Sequence, residues 1–559
     1  MEAEAKPSTT SHFCGTAGAV CDRRVRGIHH PKFLTDFSVS PTVVCRRRCR
    51  EGWGMSRAKA QAGAASSGQA EDEFGRVERA GVEFLPVAER QSAPRNVFGV
   101  FVGGNLAFST IIFGWLPVTF GLSFTQAMAS SAVGLLLGLS LMVPMTLLGP
   151  RTGTNNPVSS GAHFGMRGRL VGSTLTLLFG ITYAAIAVWT SGEALVAGAH
   201  RLFGTPQGDL ANLIGYAIVG FEVVLIALYG HGTIVGLQKF IIPAAVVLLL
   251  LGVFAYAPGF DPGRSSGEYL LGGFWPTWFF AVAVSMGGPL SYAPSVGDYT
   301  RRISPKRFSD RQIAVAASAG VFVGLFVAAA FGAFTASTFE TFSPSYVADL
   351  VTTSPAWYVV PLLLVALLGG CGQGVINIYA SGLDLESIIP RLSRTQTTLI
   401  TSGIALGVMY LGVVAANAID SITAMTVVLN APAGAWVTIN ALGFLVARRG
   451  RYDVVALQRF GFGVTGGRYW FTGGWNLRAV VPFLLGSLVG LLTVSNELYA
   501  APFASVVGGV DISLPLSITV SGVLYLLALR LWPEDKTVNL IPVADDANSA
   551  PADESLPTH

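Results

Sequence analysis

The chain has 559 residues, of which 51% are hydrophobic and only 12% are charged, and its formal net charge at pH 7 is +4. An average soluble domain carries about 25% charged residues, so this composition excludes an ordinary water-soluble protein. Apolar stretches recur from Phe98 to Leu531 without a long polar segment that would form a separate soluble domain. The basic residues lie in short loops between apolar stretches and indicate membrane topology, not a nucleic-acid partner.

The segment before the first apolar stretch, residues 1–95, is predicted to be unstructured and cytoplasmic. It carries a run of arginines at 46–50 and lacks the apolar core of a signal peptide. Two interpretations of residues 1–54 are open: a disordered basic tail, or an extension upstream of a translation start at Met55. Four of the five cysteines lie before Met55 and Cys371 stands alone in an apolar stretch. No disulfide framework is therefore indicated, and we expect neither a metal site nor a cofactor.

Residues 96–532 are predicted to form one transmembrane domain of about twelve helices, followed by an unstructured cytoplasmic tail over residues 533–559. A hydrocarbon core of about 30 Å needs roughly 20 helical residues. Windows of this kind lie near Val97 to Thr119, Thr125 to Leu148, Leu170 to Gly198, Ala211 to Tyr229, Ile234 to Tyr256, Leu271 to Val296, Ile313 to Thr335, Trp357 to Ala380, Thr398 to Ala416, Ile419 to Val446, Ala479 to Val494 and Ile512 to Leu531.

The distribution of basic residues predicts the orientation of these spans. With a cytoplasmic amino terminus, the loops on the inner side carry nearly all of the lysines and arginines between the spans. The outer loops carry only Arg201 and Arg264. Adding or removing one span would destroy this asymmetry, so the positive-inside rule supports twelve spans in a cell membrane with both termini cytoplasmic.

Two spans contain residues that favour a break inside the membrane. The first contains Gly104 and Asn105 after another glycine, and the sixth contains Gly288 and Pro289, also after a glycine. Exposed backbone is tolerated in a membrane only where protein or a water-filled cavity satisfies it, and interrupted helices of inverted-repeat transporters bind solute at such points. The alternative is that these glycines only allow close helix packing.

The eighth span places two amide side chains on one helical face. Gln373 and Asn377 are four residues apart among glycines. Each amide offers donors and acceptors that complement the edge of a pyrimidine or purine base. The alternative is a structural hydrogen bond between helices.

Aromatic and acidic side chains inside the spans are further candidates. Tyr183 and Trp189 lie among small residues of the third span, where an aromatic face can stack on a planar heterocycle or simply pack. Glu193, Glu222 and Asp298 lie in or beside apolar spans, where acids are costly and often functional. Each of these carboxylates is a candidate to carry a coupling proton, or else takes part in a structural hydrogen bond.

Four short motifs resemble those of the nucleobase:cation symporter-1 family, which contains the purine and cytosine permeases. The resemblance extends from about Val77 to Pro533. The most specific motif is Asp298-Tyr299-Thr300-Arg301 after the sixth span, similar to the family's Asp-Tyr-Ser-Arg. The others are Glu89-Arg90, His163-Phe164-Gly165 and Gly382-Leu383-Asp384-Leu385.

The resemblance implies an all-α fold of five plus five helices in inverted repeats with two further helices, and a heterocycle held between the first, third, sixth and eighth helices. Asn377 takes the place of the family's substrate-contacting asparagine, with Gln373 one turn earlier, and Tyr183 that of its stacking aromatic. An amide that often follows this aromatic is replaced by Ala187 here. The family's sixth-helix aromatic falls near Gly288 or Pro289, so Tyr292 is expected to supply the second wall.

The resemblance also bears on the coupling ion. Sodium-coupled members carry two adjacent hydroxyl side chains at the positions of Cys371 and Gly372, and a thiol and a hydrogen are poor ligands for a hard cation. We therefore expect a symporter that imports cytosine, a purine or a related heterocycle and is coupled to protons in preference to sodium. An amino-acid or organic-cation symporter of the same fold is the alternative. The spans contain neither the catalytic groups of an enzyme nor the repeated filter sequence of a channel.

Overall fold

The structure is a computed structural model, and it describes residues 81, 84–343, 345–415, 418–458, 465–495, 501–504 and 511–534. Over these residues the chain is helical, with isolated bridges but no β-strand. Met55, residues 1–54 and most of the predicted carboxy-terminal tail lie outside the described residues, and so do the side chains of residues 413–427.

The helices follow one another with short connections. In chain order they are α1 (Pro94–Asn105), α2 (Phe108–Thr119), α3 (Phe124–Thr146), α4 (Leu148–Thr152), α5 (Asn156–Phe164), α6 (Arg169–Phe203), α7 (Asp209–Tyr229), α8 (His231–Tyr256), α9 (Phe274–Tyr292), α10 (Val296–Thr300), α11 (Asp310–Ala336), α12 (Tyr346–Thr353), α13 (Val359–Ile388), α14 (Arg394–Ala415), α15 (Ala418–Leu442), α16 (Val454–Gln458), α17 (Leu477–Leu491) and α18 (Ser513–Leu531).

Each of the twelve predicted spans corresponds to a helix, or to the pair α1 and α2, in the described part of the chain. By length and apolarity alone, eight of the helical segments described are able to cross a membrane, or nine when α1 and α2 are counted as one span. The remaining three predicted spans are α9, α14 and the short apolar helix α17, of 15 residues.

The first span is broken where the glycine and amide residues predicted it. Helix α1 ends at Asn105, α2 begins at Phe108, and the two are bent by 61°. Leu106, which caps α1, donates its backbone N–H to the carbonyl of Gly103 at 3.4 Å. Because Leu106 and Ala107 are buried by protein, this irregular backbone is not exposed to lipid.

The sixth span breaks later than predicted. Helix α9 is continuous through Gly288 and Pro289 and ends at Tyr292, and α10 begins after a short turn. A Cβ at Gly288 would lie 3.0 Å from a methyl group of Leu325 on α11. The glycine therefore serves close helix packing here, and the expected break at this point is wrong because tertiary packing, which the sequence does not display, sustains the helix.

The helix contacts have the twofold pattern of an inverted repeat. The broken pair α1 and α2 packs on α11, and in the same way α9 packs on α3. Helix α6 packs on α13, its counterpart five spans later. Helices α17 and α18 pack on each other and on α15, outside this pattern. The two repeats therefore meet where α6 packs on α13, where α1 and α2 pack on α11, and where α3 packs on α9.

The folded part of the chain begins before residue 95, the predicted end of the unstructured segment. Arg90 is buried and donates hydrogen bonds to the carbonyl oxygens of Leu85 at 2.8 Å and Pro150 at 2.8 Å. Burial, assisted by the positive charge of Arg301, lowers the pKa of Arg90 to about 10. At the other end Glu534, inside the predicted tail, forms a buried ion pair with Arg448. Both boundaries move because these charged groups find partners in the folded domain.

Candidate functional site

A cavity lies between the two broken spans and helices α3, α6, α11 and α13. Its empty volume, counting its opening to solvent, is about 730 Å³. Its lining residues are Asn105, Thr110, Phe113, Ser131, Leu135, Thr176, Phe179, Gly180, Tyr183, Val284, Ser285, Gly288, Ser291, Tyr292, Ser295, Leu325, Ala329, Gln373, Asn377 and Ala380.

Six of the eight side chains or glycines predicted from the sequence line this cavity, namely Asn105, Tyr183, Gly288, Tyr292, Gln373 and Asn377. The other two do not. Gly104 faces the side chain of Ile376 on α13, and Pro289 lies 3.2 Å from the position that a Cβ of Gly138 would take on α3. These two residues therefore serve the close approach of helices.

The two amides of α13 are held in defined orientations. The hydroxyl groups of Ser109 and Thr110, in the first turn of α2, both donate to Oε1 of Gln373, with the bond from Thr110 measuring 3.0 Å. Nδ2 of Asn377 donates to the carbonyl oxygen of Gln373 at 3.0 Å. Helix α2 and helix α13 thus build one polar wall of the cavity together.

Aromatic rings form a second wall. Tyr183 and Phe179, one turn apart on α6, lie with ring centroids 6.3 Å apart and planes within 17° of parallel. Phe113 on α2 lies 6.3 Å from Tyr183 with its ring tilted by 49°. Trp189, the other aromatic candidate, is not among the residues that line the cavity in the described structure and contacts Tyr216 instead. A flat ligand would therefore find its ring faces against α6 and α2.

A hydrogen bond links the two broken spans at the edge of the cavity. The hydroxyl of Tyr292, at the end of α9, donates to Oδ1 of Asn105, at the end of α1, at 2.9 Å. Nδ2 of Asn105 donates to the carbonyl oxygen of Phe101 at 2.7 Å. Tyr292 thus lies against the cavity as expected, but its hydroxyl is engaged by α1.

No side chain that lines the cavity carries a charge. The polar lining groups are amides and hydroxyls, and the remainder are aromatic, aliphatic or glycine. An ionic ligand group placed here would lose its hydration without gaining a counter-charge, which costs several kcal/mol. The cavity is therefore suited to a neutral planar molecule with several hydrogen-bonding groups.

The three acidic candidates lie outside the cavity lining. The Glu193 carboxylate accepts a hydrogen bond of 2.6 Å from the hydroxyl of Ser345, which caps α12. Glu222 on α7 lies within hydrogen-bonding reach of the Cys371 thiol, two residues before Gln373. Glu193 is thus hydrogen-bonded to the residue that caps α12, and Glu222 lies close to the part of α13 that carries Gln373.

Asp298 belongs to a buried charged cluster at one end of the cavity. The positive charges of Arg301, Arg302 and Arg394 act on its carboxylate, and a second carboxylate, Asp384, lies beside it. Asp384 is also within hydrogen-bonding reach of Thr176, which lines the cavity. The cluster therefore adjoins the cavity without contributing a charge to its wall.

The two positions that carry sodium ligands in the family are occupied here by the uncharged residues Cys371 and Gly372. A Cβ at Gly372 would lie 3.1 Å from the carbonyl oxygen of Gly103 and 3.5 Å from Nε2 of Gln238 on α8. The Gln238 side chain is 3% exposed and abuts Gly103. A glutamine side chain therefore fills the notch between α1 and α13. The described residues contain no group of three histidine, cysteine, aspartate or glutamate side chains that could hold a metal ion.

Several lining residues were not predicted from the sequence. Phe179 lies four residues before Tyr183 on the same helical face, so helical spacing was a usable signal for it. Phe113, Thr110 and Ser131 carry no such signal. They reach the cavity only because α2 packs against α6 and α13, and α3 packs against α9 and α11, which local sequence does not reveal.

Comparisons with known proteins identify relatives of this chain. The family described as permeases for cytosine/purines, uracil, thiamine and allantoin matches residues 84–517 of this chain. The putative purine-cytosine permease YxlA of Bacillus subtilis is 25% identical over 467 residues, covering 81% of this chain and 96% of the relative. The vitamin B6 transporter TPN1 of Saccharomyces cerevisiae is 24% identical over 182 residues, 31% of this chain and 30% of the relative.

Solved structures confirm the predicted fold class. Mhp1, a nucleobase-cation-symport-1 family transporter in a closed conformation with bromovinylhydantoin bound, superposes with a TM-score of 0.64 at 17% identity, covering 83% of this chain and 95% of Mhp1. The inward-facing conformation of Mhp1 gives a TM-score of 0.61 over 82% of this chain and 95% of Mhp1, also at 17% identity. The fold is thus five plus five helices in inverted repeats, with two further helices.

Proposed function

The chain belongs to the family of permeases for cytosine/purines, uracil, thiamine and allantoin, and we propose that it imports a neutral nucleobase-like heterocycle such as cytosine or a purine by symport. It is a multi-pass membrane transporter and not an enzyme. The observation that carries the proposal is the uncharged cavity between the broken spans, with paired amides on one wall and stacked aromatics on another. Alternating access would expose this cavity to each side of the membrane in turn.

The cavity wall supports a heterocycle over the alternative substrates. An amino acid carries an ammonium and a carboxylate, and an organic cation carries a permanent positive charge. None of the lining side chains supplies the opposite charge for either. A nucleobase is neutral and flat, and its edge carries the donors and acceptors that amides match.

We propose protons as the coupling ion and Glu222 as the carrier. The two residues at the family's sodium position are Cys371 and Gly372, and the side chain of Gln238 lies between Gly372 and α1. This arrangement is a poor site for a hard cation. Glu222 has the Cys371 thiol for a neighbour and forms no ion pair with the residues described. Asp298, by contrast, lies among arginines that compensate its charge. Glu222 is therefore the acid best able to gain and lose a proton beside the cavity.

A cell membrane with both termini cytoplasmic is part of this proposal. Arg301, Arg302 and Arg394, predicted on the inner side, meet in one cluster at one end of the helices. Arg201, predicted on the outer side, donates instead to the carbonyl oxygen of Thr352 at the end of α12, at 3.1 Å. This segregation supports the orientation that the positive-inside rule favours.

Uptake of radiolabelled cytosine, uracil, adenine and hypoxanthine into cells that lack their own nucleobase permeases tests the proposal. We expect uptake of at least one base that persists without sodium and stops when a protonophore collapses the proton gradient. Glu222→Gln should abolish accumulation against a gradient. Failure to take up any heterocycle would refute the proposed substrate class, and strict dependence on sodium would refute the proposed coupling.

The Asn377→Ala variant tests the site itself. It removes an amide that lines the cavity, so uptake should fall to background at unchanged abundance in the membrane. Asn440→Ala is the matched control, because Nδ2 of Asn440 makes the same bond to a carbonyl four residues earlier, that of Trp436 at 2.9 Å, outside the cavity lining. Normal uptake by the Asn377 variant would mean that its amide is structural.

A further inference from the structure

Two hydroxyl groups converge on one atom of the amide wall. Ser109 and Thr110 both donate to Oε1 of Gln373, although they lie on α2 and Gln373 lies on α13. All three side chains are at least 96% buried, with exposures of 1%, 3% and 4% respectively. An amide oxygen has two lone pairs, so both acceptor positions of Gln373 are occupied by the protein.

The opposite orientation of the Gln373 amide would leave hydrogens unsatisfied. If the NH₂ group faced α2, it would donate to both hydroxyl oxygens, and the two hydroxyl hydrogens would need other acceptors. The described structure gives neither hydroxyl another acceptor. A buried donor without a partner costs about 1–3 kcal/mol. The pair of hydroxyls therefore turns the Nε2 donors of Gln373 away from α2, and this amide offers the cavity donors only.

Asn377 supplies the complementary group one turn further along α13. Its Nδ2 donates to the carbonyl oxygen of Gln373, which leaves both lone pairs of its Oδ1 for a ligand. Asn377 is half-buried and lines the cavity, as Gln373 does. The wall thus presents a fixed N–H donor followed by a carbonyl acceptor.

We propose that Ser109 and Thr110 are positioning residues that set the polarity of this wall, and that the site selects heterocycles with a cis-amide edge, a ring carbonyl beside a ring N–H. The carbonyl would accept from Gln373 and the N–H would donate to Asn377. Uracil, hypoxanthine and cytosine all carry such an edge. The inference rests on the proposed function and names the substrate feature that the site reads.

The order of donor and acceptor on this wall is tested by measuring how two flat molecules bind to the purified full-length transporter. Uracil carries the cis-amide edge, whereas o-phenylenediamine, which is flat and neutral at physiological pH, carries two adjacent amine donors and neither a carbonyl nor a ring-nitrogen acceptor. We expect the wild-type protein to prefer uracil, and hypoxanthine in parallel, over o-phenylenediamine by at least tenfold. Gln373→Glu keeps an acceptor for the two hydroxyls but replaces the donor that faces the cavity, so it should lower this preference at least tenfold.

Variants of the two hydroxyl residues test the positioning role. Unlike Gln373→Glu, they do not introduce a buried carboxylate, which disfavours folding. Thr110→Val, and the double variant of Ser109→Ala with Thr110→Val, release the amide so that it can turn, and the double variant should lower the preference at least fivefold. Ser130→Ala is the control, because its hydroxyl donates to Ala127 of its own helix at 2.8 Å and lies outside the cavity lining. This control should retain the wild-type preference.

Three results would count against the inference in distinguishable ways. A preference that stays within twofold of the wild type in both the Gln373 variant and the double hydroxyl variant would overturn it. A wild-type protein that binds adenine but neither uracil nor hypoxanthine, or that prefers o-phenylenediamine, would overturn it while leaving the proposed function standing. A folded wild-type protein that binds no heterocycle would overturn both.

Discussion

The hydrogen bond between Tyr292 and Asn105 is expected to tie the two broken spans together. The Tyr292→Phe substitution removes the hydroxyl that donates to Oδ1 of Asn105 at 2.9 Å and changes little else. Asn105 is fully buried, and its Nδ2 is already committed to Phe101. Its Oδ1 would be left without that partner in an environment where an unsatisfied acceptor costs about 1–3 kcal/mol.

We expect the loss of this hydrogen bond to cost a free energy in the lower part of that range. Asn105 lines the cavity, so a water molecule can approach its Oδ1 once the tyrosine hydroxyl is gone. We therefore expect Tyr292→Phe to lower the free energy of unfolding by about 1 kcal/mol. The measurement is titration of the purified protein with SDS in mixed micelles, without substrate, so that the result does not depend on the proposed transport function.

A double-mutant cycle assigns the loss to this contact. If the two side chains interact, Tyr292→Phe should cost little in a protein that already carries Asn105→Ala, with a coupling of about 0.5–1.5 kcal/mol. Tyr525→Phe is the matched control, since its ring is fully buried and its hydroxyl has no hydrogen-bond partner among the described residues. Additive effects within about 0.3 kcal/mol, or an equal loss in the control, would refute the reasoning.

Two further predictions concern packing and pH. A Cβ at Gly332 on α11 would collide with the carbonyl oxygen of Ile111, so Gly332→Ala should cost about 1–3 kcal/mol and lower the yield of folded protein in detergent. Gly403→Ala meets nothing within 4 Å and should be neutral or slightly stabilising. Burial and the charge of Arg448 hold the pKa of His163, in the loop helix α5, well below its ordinary 6.5. The unfolded chain then binds a proton more readily, so stability should fall as pH drops below about 6.5, and melting temperatures of His163→Gln should show a smaller fall.

The candidate site could be predicted from the sequence wherever a residue type carries a meaning of its own inside a membrane. Two amides one turn apart and an aromatic among small residues are unusual enough to notice, and Gln373, Asn377 and Tyr183 all line the cavity. Thr110 and Phe113 were missed because hydroxyls and phenylalanines are common in apolar helices. Only their approach to α13 and α6 marks them.

Glycines show why the prediction of breaks succeeded in one span and failed in another. Gly104 and Gly288 lie in similar local sequences, yet helix α1 ends just after Gly104 whereas α9 continues past Gly288 for four residues to Tyr292. Both glycines face a neighbouring aliphatic side chain, Ile376 or Leu325. A glycine permits close packing and a break equally, and the neighbouring helices decide between them.

The sequence by itself determined the fold class, because a bilayer accepts few ways of satisfying the backbone and long apolar windows report them directly. Its motifs also determined the family. The tertiary structure alone decided the orientation of the side chains at the site. Oε1 of Gln373, for example, accepts hydrogen bonds from Ser109 and Thr110, which lie more than 260 residues earlier in the chain. Such contacts depend on how distant helices pack against each other, and no local pattern of residues predicts that packing.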